Sequence, residues 1–202
     1  MRIKHPIAPF ARYADDIIVH CRTEAQAQVM LSVIERRLAR CKLQLHPEKT
    51  KIVYCKDAKR PGNYEHESFD FLGYSFRPRS CKGRSYFVGF TPAVSKSAIK
   101  AMSATIRGWK LQLWSSSSLE DIARQINPVI RGWLNYYGRY YRTAMYPILR
   151  QLQYALVRWA MRKYKRLRGH WLKATHWLGR IARREPRLIA AWQFGFRPSA
   201  GQ

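Results

Sequence analysis

Two aspartates, Asp15 and Asp16, stand side by side between an aromatic and basic stretch, Phe10-Ala11-Arg12-Tyr13, and an apolar run, Ile17-Ile18-Val19. Adjacent carboxylates repel, which raises the pKa of one unless a cation holds the pair. Mg²⁺ suits that role, because it prefers carboxylate oxygens and keeps waters that phosphate oxygens can replace. Paired ions ~3.5–4 Å apart stabilise the attacking and leaving oxygens of in-line phosphoryl transfer. The pair is therefore a candidate metal site for nucleotidyl transfer. The plain alternative is a solvated turn, where Asp is common.

A second group of residues points to phosphate and base recognition. Trp133, Tyr136, Tyr137, Tyr140 and Tyr141 interleave with Arg131, Arg139 and Arg142. Aromatic rings stack unpaired bases while guanidinium groups grip phosphate through two parallel hydrogen bonds. Trp133 and Tyr137, four apart, are assigned to the core; Tyr136, Arg139 and Tyr140 are assigned to the exposed side. Further on, Arg150, Arg158, Arg162, Lys165 and Arg166 fall on a different arc of the helical wheel from Leu149, Leu152, Leu156 and Trp159. A solvated helix face would explain such a run if acidic partners accompanied it, but here they are nearly absent. His170 and His176 are six apart with no obvious third ligand, so they are read as surface or packing residues. Cys21, Cys41, Cys55 and Cys81 form no C-x-x-C pair and read as reduced thiols.

Specific elements must position these residues. Phe10–Arg22 predicts two short strands around a tight polar turn. Thr23 and Gln26 have capping-box spacing, and Ala27, Met30, Ile34, Leu38 and Cys41 recur at three and four, as in an amphipathic helix. Thr50–Cys55 is β-branched and aromatic enough for a strand. Lys56–Glu67, around Pro61-Gly62-Asn63, is a loop, and Phe69–Phe76 with Ser85–Phe90 predicts a strand pair about a basic turn. After Pro92 the period becomes helical through Ile99, Met102, Ile106, Trp109 and Leu113. Ser115–Ser118 is a linker whose end, Ser117 with Glu120, has capping-box spacing. Leu119, Ile122 and Ile126 form the next helix face. Pro128 is expected to restart the helix as its first residue, and Pro147 to start another, because a missing N–H costs nothing there. Met145, Leu149, Leu152, Leu156 and Trp159 make one stripe. Residues 95–167 thus predict a bundle of about three helices. The tail from His170 is expected to be helical and broken at Pro186. The fold class is α+β.

The chain has 202 residues, 38 Lys plus Arg against 12 Asp plus Glu, and a formal charge of +26. Hydrophobic residues make up 47% and there are seven Trp, so the charge does not imply disorder. No apolar stretch approaches the roughly 20 residues that span a bilayer, and the N-terminus lacks the apolar run of a signal peptide. The expectation is a cytoplasmic protein whose partner is a polyanion. The charge is uneven. Residues 1–71 hold 13 basic and 9 acidic residues, whereas residues 72–202 hold 25 basic and 3 acidic ones, Glu120, Asp121 and Glu185. Such asymmetry indicates two parts with different jobs, the second built to lie along phosphates.

Several blocks together carry a resemblance. Arg12-Tyr13-Ala14-Asp15-Asp16-Ile17 resembles the YADD-type hairpin of reverse transcriptases. Leu43-Gln44-Leu45-His46-Pro47-Glu48-Lys49-Thr50-Lys51 resembles the segment that follows it in group II intron reverse transcriptases. Phe69-Asp70-Phe71-Leu72-Gly73-Tyr74 resembles the primer-grip block that closes the palm. Ile126-Asn127-Pro128-Val129-Ile130-Arg131-Gly132-Trp133-Leu134-Asn135-Tyr136-Tyr137 resembles the maturase-specific, or X, domain that serves as the thumb. Four blocks in one order are far more specific than any single block, and they identify the chain as similar to the group II intron-encoded reverse transcriptase/maturase family.

The resemblance implies that Asp15 and Asp16 bind Mg²⁺ and that Tyr13 and Ala14 line the incoming nucleotide and primer end. It implies that Phe71, Leu72 and Gly73 form the primer-grip turn. Lys51 lies near a lysine that assists pyrophosphate departure in the family, with Lys49 competing for the match and a solvated charge as the alternative for both. Implied partners are group II intron RNA and a DNA primer or target. The expected organisation is the end of a palm over 1–91, a maturase-specific helical domain over 92–168 and a basic helical tail over 169–202. In the family, fingers and the first half of the palm precede the hairpin and supply a further catalytic aspartate. Here twelve residues precede Tyr13 and none is acidic. The chain is therefore expected to be inactive as a polymerase alone, completed by a separately encoded N-terminal half or retained as an RNA-binding remnant.

Overall fold

The computed structural model describes residues 8–201 and is α+β. Among the described residues the chain divides into two compact units. One holds the chain up to Phe71 together with Arg77–Phe90, and the other holds Leu72–Phe76 and Thr91 onward.

In the first unit, β1 (Phe10–Tyr13) and β2 (Asp16–Val19) pair antiparallel, with Tyr13 opposite Asp16 and Phe10 opposite Val19. Helix α1 (Glu24–Arg40) follows. Its cap differs from the reciprocal box expected from spacing. Thr23 Oγ1 accepts from Gln26 N at 3.2 Å, while Gln26 Oε1 accepts from Arg22 N at 2.7 Å rather than from Thr23. Met30 is buried, but Cys41, expected on the apolar face, is the exposed C-cap. Thr50–Cys55 is not a strand. It finds no ladder partner among the described residues, and Tyr54 N to His66 O at 2.8 Å is a single cross-connection. β propensity needs a paired neighbour to become a strand. The Lys56–Glu67 loop forms as expected, tied by Lys56 Nζ to Asn63 Oδ1 at 2.6 Å and by an Arg60–Asp57 ion pair.

A meander of β3 (Phe69–Phe71), β4 (Tyr74–Lys82) and β5 (Tyr86–Val94) completes the strands, and the chain passes between the units within β4 and β5. The segment 69–76 is therefore two strands rather than one. Leu72 and Gly73 form the turn between them, with φ of 50° and 75°. Two successive positive φ values match the twist of a two-residue hairpin.

The second unit is helical. α2 (Lys96–Gly108) starts on Ser95, whose Oγ accepts from Ala98 N at 3.1 Å. It ends five residues earlier than the apolar spacing predicted. Lys110 is left-handed at φ 48°, and a short 3₁₀ turn, Leu111–Leu113, leaves Leu113 55% exposed. α3 (Leu119–Tyr137) begins one residue later than its expected cap, with a capping box between Ser118 and Asp121 rather than Ser117 and Glu120. Pro128 does not start a helix: α3 runs straight through it. The lost N–H and ring clash at an interior Pro cost ~3 kcal/mol. Burial of Ile122, Ile126, Ile130 and Leu134 on one continuous stripe across it offsets that cost. α4 (Tyr146–Lys163) carries Pro147 in its first turn, as expected, and its Leu149, Leu152, Leu156 and Trp159 are all buried together with Met145. α5 (Trp171–Arg184) and the short α6 (Ala190–Gln193) follow, interrupted around Pro186.

One apolar core joins α2–α6, closed by Trp192 and Ile189. The buried Asn127 holds the C-terminal segment: its Nδ2 donates to Leu188 O and its Oδ1 accepts from Ala190 N, each at 2.8 Å. The segment then passes across α5. A Cβ on Gly179 would collide with the backbone of Ser199 and Ala200, so only glycine fits there. The first unit has no comparable core. Among its described residues only Ala8 and Met30 are fully buried apolar side chains.

Candidate functional site

The acidic hairpin tip is small and open. Tyr13 ends β1 and is 63% exposed, Ala14 and Asp15 make the turn, and Asp16 opens β2. Ala14 is left-handed at φ 50°, and Arg12 Nε donates to its carbonyl at 2.9 Å, which fastens the turn. A left-handed non-glycine residue costs roughly 1–2 kcal/mol, so the turn is held in shape against its own preference. Asp15 and Asp16 are both exposed. Among the described residues no group of three His, Cys, Asp or Glu side chains gathers anywhere. Two adjacent carboxylates fit part of the coordination shell of one Mg²⁺. They do not by themselves fit a two-ion site, whose ions need ligands from several directions. His170 and His176 likewise gather no further ligand.

The turn at Leu72-Gly73 is held firmly. Tyr136 on α3 donates its hydroxyl to Leu72 O at 3.0 Å, Ser95 N donates to Gly73 O at 2.9 Å, and the Tyr74 hydroxyl donates to Tyr136 O. The Tyr137 ring lies where a Cβ on Gly73 would be. Tyr74 packs among Tyr136, Tyr137 and Tyr140 with ring centroids 5.2, 5.4 and 5.8 Å away. Burial, then the neighbouring phenols, raise the Tyr74 pKa, and burial, then the Tyr136 phenol, raises that of Tyr137. Phe71, at the end of β3, is half-buried. The two tyrosines assigned to the exposed side thus have different duties. Tyr136 is 46% exposed while fixing the turn, and Tyr140, 58% exposed, presents more of its ring. Trp133 stacks on Trp109 at 6.0 Å, and with Tyr137 it packs against the core.

Two families match the chain. Residues 3–76 match the reverse transcriptase (RNA-dependent DNA polymerase) family, and residues 99–177 match the group II intron, maturase-specific domain. The chain belongs to the group II intron reverse transcriptase/maturase family. No curated protein matches the chain.

The maturase-specific region carries the basic surface. Arg150, Arg158 and Arg162 lie exposed in one row along α4, at spacings that keep them on one face. Lys165 and Arg166 are exposed too, but they belong to the 3₁₀ turn Lys165–Leu167 beyond the helix, so the wheel does not describe them. Arg131 is exposed on α3, and Arg139 is exposed just after it. Arg142 is exposed yet engaged: it donates to Phe194 O at 2.7 Å and covers the Phe194 ring at 4.1 Å, which ties down the C-terminal segment. Lys163 is also structural, donating to Ser115 O at 3.0 Å and Ser117 O at 2.8 Å. Two aromatic residues absent from the sequence-based set join the arginine row. Tyr154 sits between Arg150 and Arg158, and its ring meets Trp171 edge-on at 5.3 Å. Its i+4 spacing from both arginines was the available signal; Trp171 had none before α5 was placed. Across the second unit 21 basic residues face 3 acidic ones. No helix among the described residues is long and apolar enough to cross a membrane.

Proposed function

We propose that this maturase chain binds group II intron RNA through its helical part, the 92–168 domain and the 169–202 tail, and so favours the splicing-competent shape of the RNA. The exposed arginine row on α4, with Tyr154 inside it and almost no acidic residue nearby in sequence, carries this reading. Arginine and aromatic side chains together suit structured RNA, whose loops offer phosphate and unstacked bases at once. Arg131, Arg139 and Tyr140 would extend the contact, and Lys165 and Arg166 would continue it past α4.

Nucleotidyl transfer is the activity of the family, and divalent metal is its usual cofactor. In this chain Asp15 and Asp16 would hold Mg²⁺, which when bound would offset charge on reacting phosphate oxygens. Tyr13 and Ala14 would border the nucleotide, and Phe71, Leu72 and Gly73 would support a DNA primer end. The described residues lack a third carboxylate at the hairpin, so the chain alone is proposed to be inactive and a second polypeptide to supply the missing ligands. Exposed Phe10, Tyr13, Ile17 and Val29 give such a partner apolar surface to cover. A cytoplasmic, nucleic-acid-associated location accords with these roles.

Primer extension on an RNA template with Mg²⁺, with and without a co-expressed N-terminal reverse transcriptase half, tests the catalytic part. Extension only with the added half, abolished by Asp15→Ala, is expected. Equal extension by the Asp15→Ala protein would reject the assignment. The RNA-binding part is tested by comparing structured intron RNA with random RNA of equal length at fixed salt, since phosphate-driven affinity falls steeply with ionic strength. Equal affinity for the two would reject specific binding.

A further inference from the structure

A cleft of about 260 Å³ in the helical unit is lined by Arg166, Leu167, Lys173, His176, Trp177 and Arg180. Three cations, two rings and one aliphatic side chain meet there, and no acidic residue lines it. Lys173, His176, Trp177 and Arg180 are spaced i, i+3, i+4 and i+7, so they share one face of α5. The buried residues of the same helix, Ala174, Leu178, Ile181 and Ala182, provide its core side. Among the described residues, the side chains of Arg166, Lys173 and Arg180 form no hydrogen bond or ion pair, so no carboxylate offsets their charge at the cleft. The Trp177 ring is fixed from behind, with Tyr164 at 4.8 Å and Trp159 at 6.4 Å. A ring held in place this way is a ready stacking surface whose ordering cost is already met.

We propose that this cleft is a nucleotide subsite. One phosphate of a single-stranded or bulged RNA segment lies among Arg166, Lys173 and Arg180, and the adjoining base packs against Trp177 and His176. Phosphate needs converging N–H donors and a positive field, and every base offers a π face to an aromatic ring. The volume lies below the ~300–1,000 Å³ of pockets that enclose a drug-sized ligand, which matches one nucleotide unit rather than a large cofactor. The inference rests on the RNA-binding reading above and adds a place and a chemistry to it. It also gives α5 a role separate from the arginine row of α4.

The test measures binding of the full chain to a short labelled single-stranded RNA across a salt series of roughly 50 to 200 mM. The Lys173→Gln/Arg180→Gln double variant is compared with Lys96→Gln/Lys100→Gln, which removes the same charge from exposed positions on α2. All four side chains are exposed, so neither variant disturbs the core. The cleft variant is expected to flatten the slope of log K against log salt by about 0.7, the contribution of the one phosphate held in the cleft on a single strand. The α2 variant is expected to leave the slope unchanged. Photocrosslinking of wild-type protein to 4-thiouridine RNA provides a second readout that needs no variant. The expected crosslink falls in the tryptic peptide between Lys173 and Arg180, which contains His176 and Trp177. RNA binding by wild type with equal slopes for both variants, or crosslinks confined to other peptides, would overturn the subsite while sparing the RNA-binding reading. No RNA binding by wild type would overturn both.

Discussion

Tyr74 donates to a carbonyl in the last turn of α3, where backbone acceptors lack helical partners. Tyr74→Phe removes that donor without removing the ring, so urea denaturation should show a loss of about 1 kcal/mol. Tyr136→Phe should cost a similar amount through Leu72 O. The two losses should not simply add, because the residues share one network. Asp121 makes a pH-dependent contribution. Hydrogen bonds from the Ser118 backbone and hydroxyl, the largest influences, hold its carboxyl below the usual range, helped by Arg124. A lowered carboxyl pKa in the folded state means the stabilisation is present in full above the unfolded value of about 3.9. It disappears as pH falls through the folded value. Thermal melts of wild type and Asp121→Asn should therefore differ at neutral pH and converge in strong acid.

At the scale of elements, Asn127 decides whether the C-terminal segment stays attached to α3. Asn127→Ala leaves Leu188 O and Ala190 N without their partner in a buried place, a loss of about 2–3 kcal/mol. Hydrogen exchange should quicken first at Ala190, Ala191 and Trp192. The helices were legible in the sequence because apolar residues at three and four record a buried stripe directly. Met145 through Trp159 is the clearest case, and every member is buried. Boundaries were less legible. The caps at Ser117 and Ser118 compete within a serine run, and only packing selects the second. Pro128 carries a start signal that tertiary burial overrides. Thr50–Cys55 has strand composition without a paired neighbour, which no local pattern reveals. The acidic hairpin was legible from Tyr13 to Asp16, since a short polar turn separates an aromatic run from the β-branched run Ile17-Ile18-Val19. The cleft on α5 was not, because it needs the 3₁₀ turn at Lys165–Leu167 to bring Arg166 against residues of the next helix.

Across the whole molecule, charge and core are both concentrated in the helical unit. Removing the row Arg150, Arg158 and Arg162 as glutamines should leave the melting temperature nearly unchanged, because the three side chains are exposed. The same variant should flatten the salt dependence of RNA affinity by about two units on single strands, at roughly 0.7 per phosphate contact. A drop in melting temperature of several degrees would instead make the row a structural device. The crossing of Ser199 and Ala200 over Gly179 has a consequence of another kind. With Trp192 buried and Asn127 bonded across, the last stretch of chain behaves as a tethered ligand of its own bundle. Tethering supplies it at an effective concentration of millimolar order. A chain stopped before Ile189 should then display a vacant groove, and the missing stretch, added as a separate peptide, should refill it and restore the melting temperature. The bundle can thus be divided into two pieces that reassemble, with Gly179 as the notch that sets their register.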